Sequence, residues 1–284
     1  MIRQAQPHDL PQLVSLWQEA FLEDEADARF YFEHRHQDQN MLVHEENGLV
    51  TGMLSMLPLT LVAGNNRMPV RYVFAVATRI SHRGQGISTR LLQKAHEFMT
   101  AEGCAASVLV PAEPSLFAYY EKREYAPRFY LDQVDVKATD IADIALSGQI
   151  TPCNTLEYKQ QRDAFFADGY LFAQWDETAL GYIKHGNEHA GGGMVKLRFG
   201  DETAYAVIEQ RGDHVRVSEY IGEKAHYQKA LALIHQQFKA DRYRMLLPAT
   251  EPFLGNTRHF GMIHWLKTPP NPVNLPGYLA FAKD

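Results

Sequence analysis

The sequence predicts an α/β protein built as two consecutive units, each a mixed and largely antiparallel sheet flanked by helices. Three observations carry that expectation. Residues Arg71 to Thr100 hold a strand, a glycine loop and a helix in that order. Upstream of them the order strand, helix, helix, strand, strand fits a layered α/β sandwich. Finally, Leu109-Val110-Pro111-Ala112 followed by Glu113-Pro114 recurs nearly half a chain later as Leu246-Leu247-Pro248-Ala249 followed by Glu251-Pro252. A similar order of elements around both copies reads as a diverged duplication.

In chain order, Ile2 to Ala5 reads as a short strand, and Asp9 can cap a helix with Leu10, Leu13, Val14, Leu16, Trp17 and Phe21 on its buried side. A second helix is expected around Asp24 to His34, where acidic and aromatic groups alternate. Met41 to His44 and Leu49 to Leu61 form a hairpin across Glu46-Asn47-Gly48. Tyr72, Val73, Phe74, Val76 and Thr78 suit a buried strand ending near Thr78. Leu91, Leu92, Ala95, Phe98 and Met99 then recur at helical spacing, so a helix begins near Ser88. Ser107 to Val110 is the next strand, and Pro114 opens a helix carrying Leu116, Phe117, Tyr119 and Tyr120. Connector signals at Ser147-Gly148 and Thr151-Pro152 divide the chain into units 1–138 and 151–284. In the second unit, strands are expected near Thr203 to Ile208 and His214 to Tyr220, then a helix from Ala230 to Phe238 and a strand from Arg244 to Leu247.

Chemistry concentrates between His82 and Thr89. Gly84 and Gly86 let backbone amides turn toward a bound group, and the helix behind them presents its positive end. The loop lacks the Gly-Lys-Ser/Thr ending of a nucleoside-triphosphate site, so the implied anion is a pyrophosphate. A dinucleotide fingerprint is opposed by three features: the third glycine is missing, Pro114 follows Glu113 at once, and five residues separate strand from glycines.

The pattern Arg83-x-x-Gly86-x-Ser88, preceded by Val76-Ala77-Thr78, resembles the coenzyme A loop of the GNAT N-acetyltransferases, and I-R-x-A followed by D-L-x-x-L at the start resembles their opening. Tyr120-Glu121-Lys122-Arg123-Glu124-Tyr125 resembles their ending Y-x-K-x-G-F, with Glu124 where glycine is usual. The resemblance implies tandem GNAT-like domains, the second copy degenerate because Tyr220-Ile221-Gly222 runs into its helix without an Arg-x-x-Gly loop. Tandem halves of this kind resemble the Eis-like acetyltransferases, whose larger members carry a third domain for which this sequence leaves no room. Implied with the family are acetyl-CoA as cosubstrate, held by Val76, Ala77, Thr78, Arg83, Gly84, Gln85, Gly86, Ile87, Ser88, Thr89 and Ser115, and Tyr120 as the acid for the leaving thiolate. The implied reaction is direct N-acetylation of a small cationic or peptide amine. The alternative is an acyl-CoA sensor or silent interaction protein, because the cofactor strand Tyr72 to Thr78 carries no Glu or Asp. Candidate bases are the C-terminal carboxylate, Glu33 or a water.

Composition agrees with that reading. At 284 residues and 45% hydrophobic content, the chain can bury two modest cores, and its net charge of −6 disfavours nucleic acid as a partner. No apolar run approaches the ~20 residues of a membrane span, and MIRQAQPHDL has no signal-peptide core, so no membrane partner and a cytoplasmic location are expected. Cys104 and Cys153 are read as reduced thiols with no metal-ligand spacing. His185-Gly186-Asn187-Glu188-His189 spells H-x-x-E-H, but Gly186, Asn187 and the run Gly191 to Gly193 predict a polar loop, so no metal site is expected.

Overall fold

The computed structural model describes residues 1–144, 146–249, 257–269 and 274–281. β1 (Ile2–Gln4) leads to α1 (Leu10–Phe21), which buries Leu13, Val14, Leu16 and Trp17, and to α2 (Glu25–His34). The Asp24 side chain caps α2 by accepting from the Asp27 amide. An antiparallel meander follows: β2 (Met41–Glu46), β3 (Leu49–Ala63) and β4 (Asn66–Thr78). Its first turn places Asn47 and Gly48 at φ 51° and 79°, the left-handed pair that a two-residue hairpin requires. α3 (Ile87–Ala101) returns the chain to β5 (Ala106–Leu109), parallel to β4, before α4 (Ser115–Glu121) and β6 (Ala126–Lys137).

The second half contributes α5 (Ala138–Ile141), β7 (Gly148–Pro152), α6 (Thr155–Ala167), β8 (Leu171–Gln174), α7 (Glu177–His189) and β9 (Gly193–Phe199). It continues with β10 (Glu202–Arg211), β11 (His214–Ile221), α8 (Tyr227–Gln237), β12 (Arg242–Pro248), β13 (Thr257–Trp265) and β14 (Gly277–Tyr278).

Among the described residues the strands join in one mixed 14-stranded sheet whose main path is β1-β2-β3-β4-β5-β13-β6-β12-β11-β10-β9-β7. Two strands change sides in the middle of that path. β6, which follows β5 in sequence, pairs with β12 from Lys137↔Arg242 to Leu131↔Pro248. β13, which follows β12, pairs with β5 from Met262↔Leu109 to Trp265↔Ala106. Each half's sheet is thus closed by a strand from the other. The tail also enters this junction: Gly277 pairs in parallel with Phe129 of β6 and Leu171 of β8, while β8 runs antiparallel to the end of β3. Leu61, Phe129, Phe166, Phe172 and Tyr278 are fully buried in the shared core, and each such side chain contributes roughly 1.5–3 kcal/mol of hydrophobic stabilisation.

One sequence expectation is overturned here. The H-x-x-E-H stretch is helical, forming the last turns of α7. A local and a tertiary contact offset the low propensities: within α7 the Asn187 side-chain amide donates to the Ile183 carbonyl, and Phe30 of α2 packs at Gly186, where an added Cβ would lie 3.6 Å from its ring. Glu188 pairs with Lys184 at 3.2 Å. Among the described residues no group of three or more His, Cys, Asp or Glu side chains is placed to hold a metal.

Candidate active site

β4 and β5 pair from Val70↔Ala106 to Val73↔Leu109, and beyond that point β4 continues to Thr78 without β5 beside it. On its other side the register with β3 jumps from Ser55↔Phe74 to Met53↔Ala77. This bulge sets Ala75 at φ 51°, a conformation that costs a non-glycine residue about 1–2 kcal/mol, and re-aims the side chains around it. Val76, Ala77 and Thr78 therefore lie on a strand end that has parted from its parallel neighbour.

A short 3-10 turn at Ile80–His82 leads from this strand to Gly84 and Gly86, at φ 79° and 73°. α3 starts directly after Gly86, and no side chain caps it. Its first amides, at Ile87, Ser88 and Thr89, therefore remain available to an anion. Nothing lies within 4 Å of a Cβ built on Gly84, so the loop is open on that side. Arg83 and Gln85 are exposed, and Arg83 Nε donates to the Thr78 carbonyl at 3.3 Å, tying the loop to the strand. Ile87 is buried against β3 at Gly52, where a Cβ would come within 2.7 Å of Ile87 Cγ2. Gly52 thus sets how closely α3 approaches the sheet, a role the sequence alone did not signal.

α4 is fastened to the start of α3. Ser88 and Tyr119 hydroxyls lie 2.7 Å apart, Arg123 Nη2 donates to Thr89 Oγ1 at 2.6 Å, and the Arg123 guanidinium sits 3.4 Å from the Tyr119 ring centroid. Tyr120 packs in the same apolar cluster as Val73, Leu109 and Ile87, so it stands at the point where β4 and β5 part. Burial, with a smaller effect of Tyr119, raises its pKa, and among the described residues its hydroxyl makes no hydrogen bond. It is a protonated, uncommitted donor. Ser115, in the first turn of α4, is exposed and donates to Glu113 at 3.3 Å.

Beside α2 lies a cavity of about 1000 Å³ whose wall includes Phe74, the β4 residue that follows the last β4–β5 pair at Val73↔Leu109. Glu23, Asp24, Asp27, Phe30 and Tyr72 line it from the first half, and Trp175, Tyr182 and Phe281 from the second. Phe30 stacks on Tyr182 with centroids 5.2 Å apart, and Trp17 Nε1 donates to Glu23 at 2.7 Å.

Residues 1–128 match the family model of the acetyltransferase (GNAT) domain. The N-terminal half is a GNAT acetyltransferase domain. A GCN5-related N-acetyltransferase from Anabaena variabilis superposes with a TM-score of 0.74 at 16% identity, covering 94% of this chain and 73% of that one. Eis1 from Mycobacterium abscessus gives 0.65 at 12% identity, covering 94% and 74%. A putative acetyltransferase from Pyrococcus horikoshii gives 0.64 at 14%, covering 100% and 95%. No curated protein matches the chain.

Within the GNAT domain, Glu124 takes φ 65°, so this glutamate adopts the left-handed conformation for which glycine is the usual residue. Glu33 is exposed and does not line the cavity; Glu23, which sequence reasoning passed over, does. The C-terminal carboxylate of Asp284 lies outside the described residues, although Phe281 lines the cavity.

Proposed function

We propose that the protein transfers an acetyl group from acetyl-CoA directly to a primary amine of a small cationic acceptor or peptide. The observation that carries this reading is the parting of β4 from β5 after Val73 and Leu109, with Tyr120 packed in the cluster of those two residues and the next β4 residue, Phe74, in the cavity wall. The residues present fit coenzyme A: the uncapped amides of Ile87 to Thr89 and the open Gly84 to Gly86 loop suit a pyrophosphate, and the free strand end at Val76 to Thr78 suits an amide-bearing arm. The cosubstrate supplies an activated acyl group as its thioester.

The chain's own groups would do the rest. Glu23, Asp24 and Asp27 attract the acceptor ammonium, and one of them or an intervening water takes its proton. The freed amine attacks the thioester carbonyl, whose developing charge is met by backbone amides. Tyr120 donates its proton to the departing thiolate, and the second proton that the nitrogen sheds on becoming an amide returns Tyr120 to its neutral form.

Thiol release from acetyl-CoA over a panel of amines and peptides tests the reading. Tyr120→Phe should lower turnover ~10- to 1000-fold while coenzyme A still binds. Unchanged turnover in that variant would remove the acid role. Coenzyme binding with no turnover across the panel would favour the acyl-CoA sensor.

A further inference from the structure

Resting on the acetyltransferase reading, we infer that the acceptor carries a carboxylate as well as its amine, and that Arg35 binds that carboxylate inside the cavity. Arg35 follows α2 directly, lines the cavity and is only 9% exposed. Among the described residues its guanidinium makes no ion pair and no hydrogen bond, and its Nη2 is fully enclosed without a partner. Other shielded arginines are matched: Arg162 meets Glu219 at 3.0 Å, Arg79 meets Glu19 at 2.9 Å, and Arg71 meets Glu102 at 2.7 Å.

The groups that face Arg35 do not neutralise it. Tyr31 and Tyr182 both feel its charge, but burial keeps both hydroxyls protonated, Tyr31 being pushed up to about 12. Glu23 and Asp27 also act on Tyr182, yet neither forms an ion pair with Arg35. A guanidinium stays charged at any physiological pH, and enclosing one without a counter-ion is heavily penalised. Its planar fork matches a carboxylate through two parallel hydrogen bonds.

The cavity also carries the exposed Lys137, Arg211, Arg242 and Arg244, and Arg211 and Arg244 are paired with Glu209 and Asp135. Arg35 differs from these in being enclosed, so the part of the cavity beside α2 has two poles: a carboxylate rim at Glu23, Asp24 and Asp27 and the buried cation of Arg35, with Phe30, Phe74 and Tyr182 among its walls. A molecule with an ammonium and a carboxylate, an amino acid or a short peptide, satisfies both. A polyamine satisfies only one. The phosphates of coenzyme A are not the partner, because the Gly84 to Thr89 loop lies outside the cavity wall.

Matched pairs that differ only in the carboxylate isolate the point: lysine with cadaverine, and tyrosine with tyramine. Thiol release gives kcat/KM for each, and calorimetry in the presence of coenzyme A gives each binding constant whether or not turnover occurs. In the wild type the carboxylated member should be favoured ~100-fold in binding, and Arg35→Gln should bring that ratio close to one. Arg35→Lys, which keeps the charge without the fork, should restore part of it. Because the unliganded protein leaves Arg35 without a partner, Arg35→Gln should also hold or raise the Tm. Equal binding within each pair, a preference that survives Arg35→Gln, or a variant that fails to fold would each overturn the inference. Turnover of the decarboxylated amines alone would overturn it and leave the acetyltransferase reading intact. Absence of all turnover would sink that reading, while calorimetry still decides the role of Arg35.

Discussion

The strand, loop and helix at β4–α3 and those at β11–α8 share one plan and diverge at one place. Both strands lose a parallel neighbour part-way along: β4 after Val73↔Leu109, β11 after Val217↔Met245. Both are also bulged just past that point, β11 between the pairs Ile208↔Val217 and Val207↔Glu219. In the first half the gap opens onto Gly84 and Gly86 and an uncapped helix. In the second it is filled. The Glu219 carboxylate, fully buried on β11, accepts from Tyr158 at 2.6 Å and meets Arg162, whose Nη1 donates to the Ala173 carbonyl. Lys224, in the turn before α8, reaches Asp132 of β6. The same local backbone plan leaves helix amides uncapped in one half and gives the equivalent space to packing in the other.

The two halves exchange strands β6 and β13, and cutting between them should have the largest effect. A fragment ending at Gln149 retains β5 and β6 but lacks β13 between them and β12 beside β6. Two strands buried in the intact sheet would become edges, which invites aggregation. The fragment should be insoluble or lack a cooperative unfolding transition by circular dichroism. A soluble fragment that binds coenzyme A would mean that the exchange of β6 and β13 is dispensable.

Next in size is the filled gap itself. Arg162→Ala leaves Glu219 enclosed without its cation, and removing one partner of a buried pair typically costs about 3–5 kcal/mol. Urea unfolding should show a loss of that order. A loss under about 1 kcal/mol would mean that the pair is far better solvated than its burial implies.

A paired substitution then separates ligand from packing. Gly86→Ala imposes a left-handed alanine, a strain of about 1–2 kcal/mol, and should weaken coenzyme A binding by ~5- to 30-fold if the loop must hold that shape. Gly222→Ala, before α8, would set a Cβ 2.8 Å from Ala204 Cβ and from the Tyr220 hydroxyl. Overpacking of this kind costs about 1–3 kcal/mol, so stability should fall while the coenzyme A dissociation constant stays put. If both variants fail in the same measurement, the division of labour between the halves is wrong.

What was legible in the sequence tracks how local the signal is. The loop at Gly84 to Gly86 and the start of α3 depend on glycines and on apolar spacing within one stretch, and they were read to within a residue. The place of β13 between β5 and β6 depends on pairing residues such as Met262 and Leu109, which no local pattern links. α7 was missed because Phe30, far away in sequence, packs at Gly186. Arg35 was invisible for a related reason. A charged residue ending an acidic helix looks solvated until the fold shows that nothing within reach balances it.

The smallest effect concerns a detail of the first half that departs from its family's usual residue. Glu124 ends the turn after α4, with its amide donating to the Glu121 carbonyl at 3.0 Å and its φ at 65°. An L-residue pays steric strain there that glycine avoids, whereas glycine loses more backbone entropy on folding. The two effects oppose each other, and the strain is the larger. Glu124→Gly should therefore stabilise the protein by about 0.5–1 kcal/mol in urea unfolding. The exposed Glu124 side chain forms no ion pair among the described residues, so its removal subtracts little. Tyr120 and Tyr125 flank this turn, with rings 5.7 Å apart in an edge-to-face contact. Easing the turn without moving Tyr120 should leave turnover unchanged. A change in turnover with no gain in stability would show instead that the strained glutamate helps to hold Tyr120 in place.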